Sequence, residues 1–166
     1  MSDAPRNVLF LCTGNSARSV LAEAYLNAKA KDRFKAFSAG SQPKGEIHPL
    51  TLETLRAVGF PAADLRSKSW EEFAQRGAPE MQFVITVCDS AAGEVCPVWP
   101  GQPITAHWSF PDPAAFEGTE AARRDFFREV FRQIRNRIDL LLNLPMTRLD
   151  RLAIKHEVEA IGRSHA

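Results

Sequence analysis

The run Cys12-Thr13-Gly14-Asn15-Ser16-Ala17-Arg18-Ser19 sets a thiol and a guanidinium on either side of five small or polar residues. A loop of this kind, leaving the C-terminal end of a buried strand and entering a helix, aims successive backbone N–H groups at one point and makes a concavity for a tetrahedral oxyanion. Thr13, Gly14, Asn15, Ser16 and Ala17 would supply those donors, with Gly14 letting the backbone turn. Arg18 would add a planar fork for two oxyanion oxygens. The same positive field is expected to depress the pKa of Cys12 and hold it as a thiolate nucleophile, with Ser19 donating a hydrogen bond to the sulfur. Expulsion of an oxyanion oxygen also needs a proton. Asp112, held between Pro111 and Pro113, is the candidate general acid, although an Asp in that setting is more often a turn residue.

These residues need a scaffold, and the chain supplies one. Asn7 to Leu11 is a short, unbroken apolar run, as expected of a strand buried on both faces of a parallel sheet, and apolar residues recur at helical spacing from Ser19. On this reading a seven-residue loop joins them. Phe37-Ser38 closes a second strand at Gly40, and Pro49 opens a helix that Gly59 stops. Met81 to Val87 and Ile104 to Ala106 read as the third and fourth strands, each followed by a loop carrying a candidate residue: Cys88 after one, Asp112 after the other. Thr119 can cap a long helix with the apolar face Phe127, Val130, Phe131, Ile134, Ile138, Leu141 and Leu142, ended by Pro145. Leu149 to Ile161 forms a further helix. Strands alternating with helices imply an α/β fold with a parallel, doubly wound sheet.

Composition narrows the class. The 166 residues are 45% hydrophobic and 25% charged with a formal net charge of +1, which argues for one globular domain over residues 1–166 and against a disordered or nucleic-acid-seeking chain. The arginines of the long helix alternate with acids and read as a solvated face. No apolar run approaches the ~20 residues of a membrane span, and the N-terminal apolar stretch is too short for a signal peptide. A cytoplasmic location follows as the expectation. Three cysteines are too few for a secreted disulfide framework and suggest buried thiols or redox chemistry. Cys88, Cys96 and His107 lack the spacing of a zinc knuckle.

The loop CTGNSARS, the later Ser38-Ala39-Gly40 and the stretch His107-Trp108-Ser109-Phe110-Pro111-Asp112-Pro113 together resemble the low-molecular-weight protein tyrosine phosphatase superfamily, and within it the arsenate reductases. The resemblance spans about residues 6–142 and leaves 143–166 as a C-terminal helical extension. It implies a four-stranded parallel sheet flanked by helices, with Cys12 as nucleophile, Arg18 as oxyanion clamp and Asp112 as general acid. Phosphatases of the superfamily carry an aromatic wall just after the Asp-Pro, whereas this chain has Ala114-Ala115 there and Tyr25 as its one tyrosine. It carries instead Cys88 and Cys96, where thiol-disulfide arsenate reductases place their redox pair, with seven intervening residues rather than six.

Arsenic(V) bound to Cys12 could accept two electrons when Cys88 attacks, releasing arsenite; Cys96 would then take the disulfide to an external reductant, thioredoxin or glutaredoxin with glutathione. If residues 88–96 are helical, eight rises of ~1.5 Å separate the two cysteines by ~12 Å, beyond the ~7 Å a disulfide tolerates, so oxidation would have to unwind that segment. Asn15, Glu23, Ser38 and Asp64 match positions that form a potassium site in some members. They are weighed against a simpler reading in which Asn15 and Ser38 brace the loop and Glu23 is a solvated helix residue. A phosphatase acting on aryl phosphates and a non-catalytic oxyanion-binding module are the rival functions.

Overall fold

The computed structural model describes residues 4–88 and 99–163. Strand β1, Arg6–Cys12, lies inside a four-stranded parallel sheet of order β2-β1-β3-β4, with β2 at Phe34–Gly40, β3 at Phe83–Thr86 and β4 at Ile104–His107. The unbroken apolar character of β1 has a direct cause. Val8, Phe10 and Cys12 pack into the larger core on one face, and Leu9 and Leu11 into a smaller one on the other, with Ala39, Trp70, Phe73, Met81, Val84 and Trp99. The sequence-based reading of four parallel strands is borne out, and β3 is shorter than the apolar run suggested because Met81, although buried, precedes the paired stretch.

Among the described residues four helices surround the sheet: α1 at Arg18–Ala30, α2 at Pro49–Ala57, α3 at Glu120–Leu142 and α4 at Arg151–Gly162. The anticipated apolar face of α3 is buried from Phe127 to Leu141, and Thr119 accepts from the Ala122 N–H as its cap. Arg128 and Arg132 are exposed as anticipated, and Arg124–Glu120 and Arg132–Glu129 pairs lie one turn apart, but Arg124 also reaches Glu53 of α2 and the half-buried Arg137 lies over the Phe110 ring and donates to the Ser109 carbonyl. Tyr25 is buried between Phe60 and Phe131, its hydroxyl donating to Asp139 at 2.6 Å.

The C-terminal helix packs back on the body. Ile154, Val158 and Ile161 enter the larger core, and the buried Trp108 indole donates to the Val158 carbonyl at 3.0 Å. Lys155 donates to the Thr105 carbonyl in β4, an edge strand, and Arg151 to the Gln102 carbonyl just before it. Polar groups of an edge strand are otherwise a template for unwanted pairing.

Candidate oxyanion site

Parallel pairing brings the functional ends of three strands to one rim. Leu11 is in register with Thr86 and Cys12 with Gly40, while the Val87 N–H continues the ladder by donating to the Leu11 carbonyl. Cys12 and Cys88 therefore leave adjacent strands side by side. Both are buried, and Cys88 Sγ lies 3.6 Å from Thr13 Oγ1 at the start of the loop. Cys96 lies outside the described residues, as do residues 89–95 of the 88–96 segment for which unwinding was expected.

The loop proper is five residues long rather than seven, because β1 runs through Cys12 and α1 begins at Arg18. Arg18 and Ser19 thus sit in the first turn of a helix, where backbone dihedrals are fixed. Ala17 gives α1 no side-chain cap, while His48, Thr119 and Asp150 cap α2, α3 and α4. The positive end of α1 consequently faces the loop without a competing side-chain acceptor.

Glycine plays a different part from the one expected. The left-handed residue of the loop is Asn15, with φ of 48°, not Gly14. Gly14 instead leaves room for the stem of Lys44, whose Cε would lie 3.3 Å from a Cβ at that position. Gly40, at the end of β2, has no room for a side chain, since a Cβ there would strike the Thr13 carbonyl oxygen.

Asn15 can hold its uncommon conformation because it is fully buried and bonded on every side. Its N–H donates to Cys12 Sγ at 3.2 Å, and its amide nitrogen donates to Ser19 Oγ at 2.9 Å and Ser38 Oγ at 3.0 Å. Its amide oxygen accepts from the Lys68 N–H at 2.8 Å. Ser19 Oγ stands 2.9 Å from Cys12 Sγ. With Asn15 donating into it, the Ser19 hydroxyl is left to donate toward the sulfur. From the side, the His48 N–H and the Thr51 hydroxyl both donate to the Ser16 carbonyl, at 3.0 and 2.8 Å, tying the loop to the start of α2.

The mouth is a cavity of about 450 Å³ lined by Cys12 to Arg18 with Gln42, Lys44, Asp112 and Ala114. Asp112 makes a contact with each of its carboxylate oxygens. One carboxylate oxygen accepts from the Ala114 N–H at 3.0 Å, as a turn residue's would, and the other lies 3.5 Å from Arg18 in the cavity wall. Arg18 also donates to the Phe110 carbonyl at 3.1 Å. This engagement corrects the expectation for Cys12. Burial pushes its thiol pKa up from the ordinary value, and hydrogen bonds from Ser19 and the Asn15 N–H only partly pull it back. The guanidinium that was expected to lower it is turned toward the Asp112 loop.

Of the residues matched to a potassium site, Asn15, Glu23 and Ser38 converge, while Asp64 is exposed and lines a cavity with Glu23. Ser38 donates to Glu23 at 2.5 Å, and Glu23 is no solvated residue: its side chain is 15% exposed and lies 3.8 Å from the ammonium of Lys68, itself 7% exposed. Asn15 turns its donor nitrogen toward Ser38, and the Ser38 hydroxyl is spent on Glu23. These groups do not fit a metal ion, because the cation is already there and the oxygen donors are committed. Among the described residues no cluster of three or more His, Cys, Asp or Glu could hold a metal. Gln42, Lys44 and Lys68 are site residues the sequence reading missed. Lys44 had a faint signal, a basic residue on the loop after a strand end; Lys68 had none.

The comparisons agree with this geometry. Residues 7–156 match the family model for low molecular weight phosphotyrosine protein phosphatase. The arsenate reductases of Halalkalibacterium halodurans and Bacillus subtilis are each 34% identical over 131 residues, covering 79% of this chain and 91% of theirs. Among solved structures, an arsenate reductase in the phosphate binding state superposes with a TM-score of 0.68 at 25% identity, covering 82% of this chain and 96% of its own. A thioredoxin-dependent arsenate reductase of Corynebacterium glutamicum gives 0.57 at 30% identity, over 84% of this chain and 65% of that one. The chain belongs to the low-molecular-weight phosphotyrosine protein phosphatase family, and the two curated relatives described above are arsenate reductases.

Proposed function

We propose that this protein reduces arsenate to arsenite, with Cys12 as nucleophile. The observation that carries the reading is the second buried thiol, Cys88, at the rim of the oxyanion loop on the strand next to Cys12. A phosphatase has no use for it.

The chemistry balances as follows. The Cys12 thiolate displaces one oxygen of arsenate, Asp112 protonates the departing oxygen, and Arg18 with the loop N–H groups holds the remaining oxyanion. The Cys88 thiolate then attacks Cys12 Sγ. The sulfur–arsenic bond breaks with its electron pair passing to arsenic, so arsenic(V) becomes arsenic(III), arsenite leaves, and the two thiols have supplied two electrons in forming a disulfide. Cys96 attacks Cys88 to free Cys12, and an external dithiol reduces the Cys88–Cys96 bond. A thioredoxin-type donor is the reading favoured by the likeness to a thioredoxin-dependent relative; glutaredoxin with glutathione is the alternative.

One observation keeps the phosphatase reading in view. Phe116, partly exposed and stacked on Phe126 at 4.6 Å, stands two residues beyond Ala114 in the cavity wall. The test is arsenite formation with thioredoxin and with glutaredoxin in turn, beside hydrolysis of p-nitrophenyl phosphate without thiol. Arsenate turnover that requires a donor supports the proposal; phosphate release far faster than arsenate turnover overturns it.

A further inference from the structure

A lysine beside a carboxylate, both shielded from solvent and joined to the nucleophile by consecutive hydrogen bonds, is costly to fold and calls for a reason. Lys68 lies on the long segment between α2 and β3, 45 residues from Glu23 in sequence. Its ammonium donates to the Arg66 carbonyl at 3.0 Å and faces Glu23 at 3.8 Å, while its backbone N–H fixes the Asn15 amide and its carbonyl accepts from the Gly40 N–H at 2.9 Å. One residue therefore grips the oxyanion loop, the end of β2 and the Glu23 carboxylate together.

We propose that the Lys68 ammonium is a built-in cation that replaces a metal ion beside the oxyanion loop and sets the thiolate chemistry of Cys12 through Glu23, Ser38, Asn15 and Ser19. An ionised Glu23 can only accept, so the Ser38 hydroxyl must donate to it and Ser38 Oγ must accept from Asn15. The Asn15 amide, its oxygen held by the Lys68 N–H, then donates to Ser19 as well, and the Ser19 proton is directed at Cys12 Sγ. Lys68 acts twice, as the donor that orients Asn15 and as the charge that keeps Glu23 an acceptor. It is a positioning residue, since it reaches the sulfur only through others.

Other charges face this relay. Arg66, paired with Glu72 at 2.6 Å, faces Glu23 from the same segment; Cys88 faces Cys12 from the end of β3. Neither Arg66 nor Glu72 is shielded as Lys68 is, their side chains being 61% and 43% exposed. Their field is weakened by solvent.

The inference deepens the arsenate reductase reading and rests on it, but its readout needs no arsenate. The rate of Cys12 alkylation by iodoacetamide is measured against pH in a Cys88→Ser, Cys96→Ser background, with folding checked by circular dichroism. Lys68→Met leaves Glu23 uncompensated, and the alkylation midpoint is expected to move up; Lys68→Arg should restore most of the shift. Glu23→Gln keeps an acceptor for Ser38 but leaves the Lys68 charge unopposed, so the midpoint should move down. A merely structural role would not move the two in opposite directions. If Lys68→Met fails to fold, Glu23→Gln alone decides by the direction of its shift. In the parent protein, replacing sodium with potassium should leave arsenate turnover unchanged. Unmoved midpoints in folded variants, or a parent several-fold faster in potassium, would overturn the proposal; failure of arsenate reduction with the opposite shifts intact would overturn only the reading beneath it.

Discussion

Cys12 is held between opposing influences. Burial favours its thiol, while the Ser19 hydroxyl, the Asn15 N–H and the start of α1 favour the thiolate. In the proposed reaction Cys12 stays a thiol until Arg18 leaves the Asp112 loop for a bound oxyanion. Asp112 stands 3.5 Å from Arg18 with its other oxygen already committed to a turn. Asp112→Asn keeps that turn acceptor and loses the transferable proton. The expected outcome is an arsenate turnover slowed ~10²–10⁴-fold with the alkylation rate of Cys12 nearly unchanged; an unaltered turnover rate across pH would leave Asp112 a turn residue alone. Cys12, Arg18 and Asp112 were legible in the sequence because a thiol and an arginine flanking a strand-to-helix loop, and an acid after a strand end, have few other uses. Lys68 was not. Its residue type points to the surface, and only a carboxylate from a distant helix makes its burial tolerable.

At the level of elements, strands and helices followed from unbroken apolar runs and helical spacing, since β1 is buried on both faces and α3 on one. The stretch from Gly59 to Met81 was illegible. It contains a short 3₁₀ turn at Trp70–Phe73 and a lone bridge from Ser69 to Gly40, so its placement depends on partners far away in sequence. That stretch brings Ser67 and Lys68 to the loop.

The start of α2 has a pH consequence. His48 Nδ1 accepts from the Leu50 N–H as the cap, and burial with nearby Arg123 and Lys44 lowers the His48 pKa below its ordinary 6.5. A folded-state pKa depressed in this way gives stability that is present above pH 6.5 and lost as pH falls through the lowered value, because the unfolded chain binds the proton first. Denaturation midpoints are expected to fall as pH drops below about 6.5, and His48→Asn, which can still cap the helix, should remove that part of the slope. An identical slope in both proteins would place the effect elsewhere.

Across the whole molecule, the C-terminal helix is tied to the chemistry by way of β4. Gly162 lies so close to the His107 carbonyl and the Trp108 ring that a Cβ there would strike the carbonyl oxygen, and Trp108 is four residues from Asp112. Gly162→Ala is expected to cost ~1–3 kcal/mol in urea unfolding, as overpacking does, and to slow arsenate turnover through the displaced Asp112 loop. A loss of stability with no loss of rate would confine α4 to a structural part. No helix among the described residues is long and apolar enough to cross a membrane.

The central claim is that two electrons pass from thiols of this chain to arsenic bound at Cys12. A single-turnover experiment tests it without any donor protein: fully reduced enzyme is mixed with excess arsenate, arsenite is quantified, and disulfides are mapped by mass spectrometry. The account predicts one arsenite per chain, one intramolecular disulfide that includes Cys88, and neither product in Cys12→Ser. Arsenite formed by Cys12→Ser at the parent's yield, or no arsenite from the parent while p-nitrophenyl phosphate is hydrolysed, would contradict it.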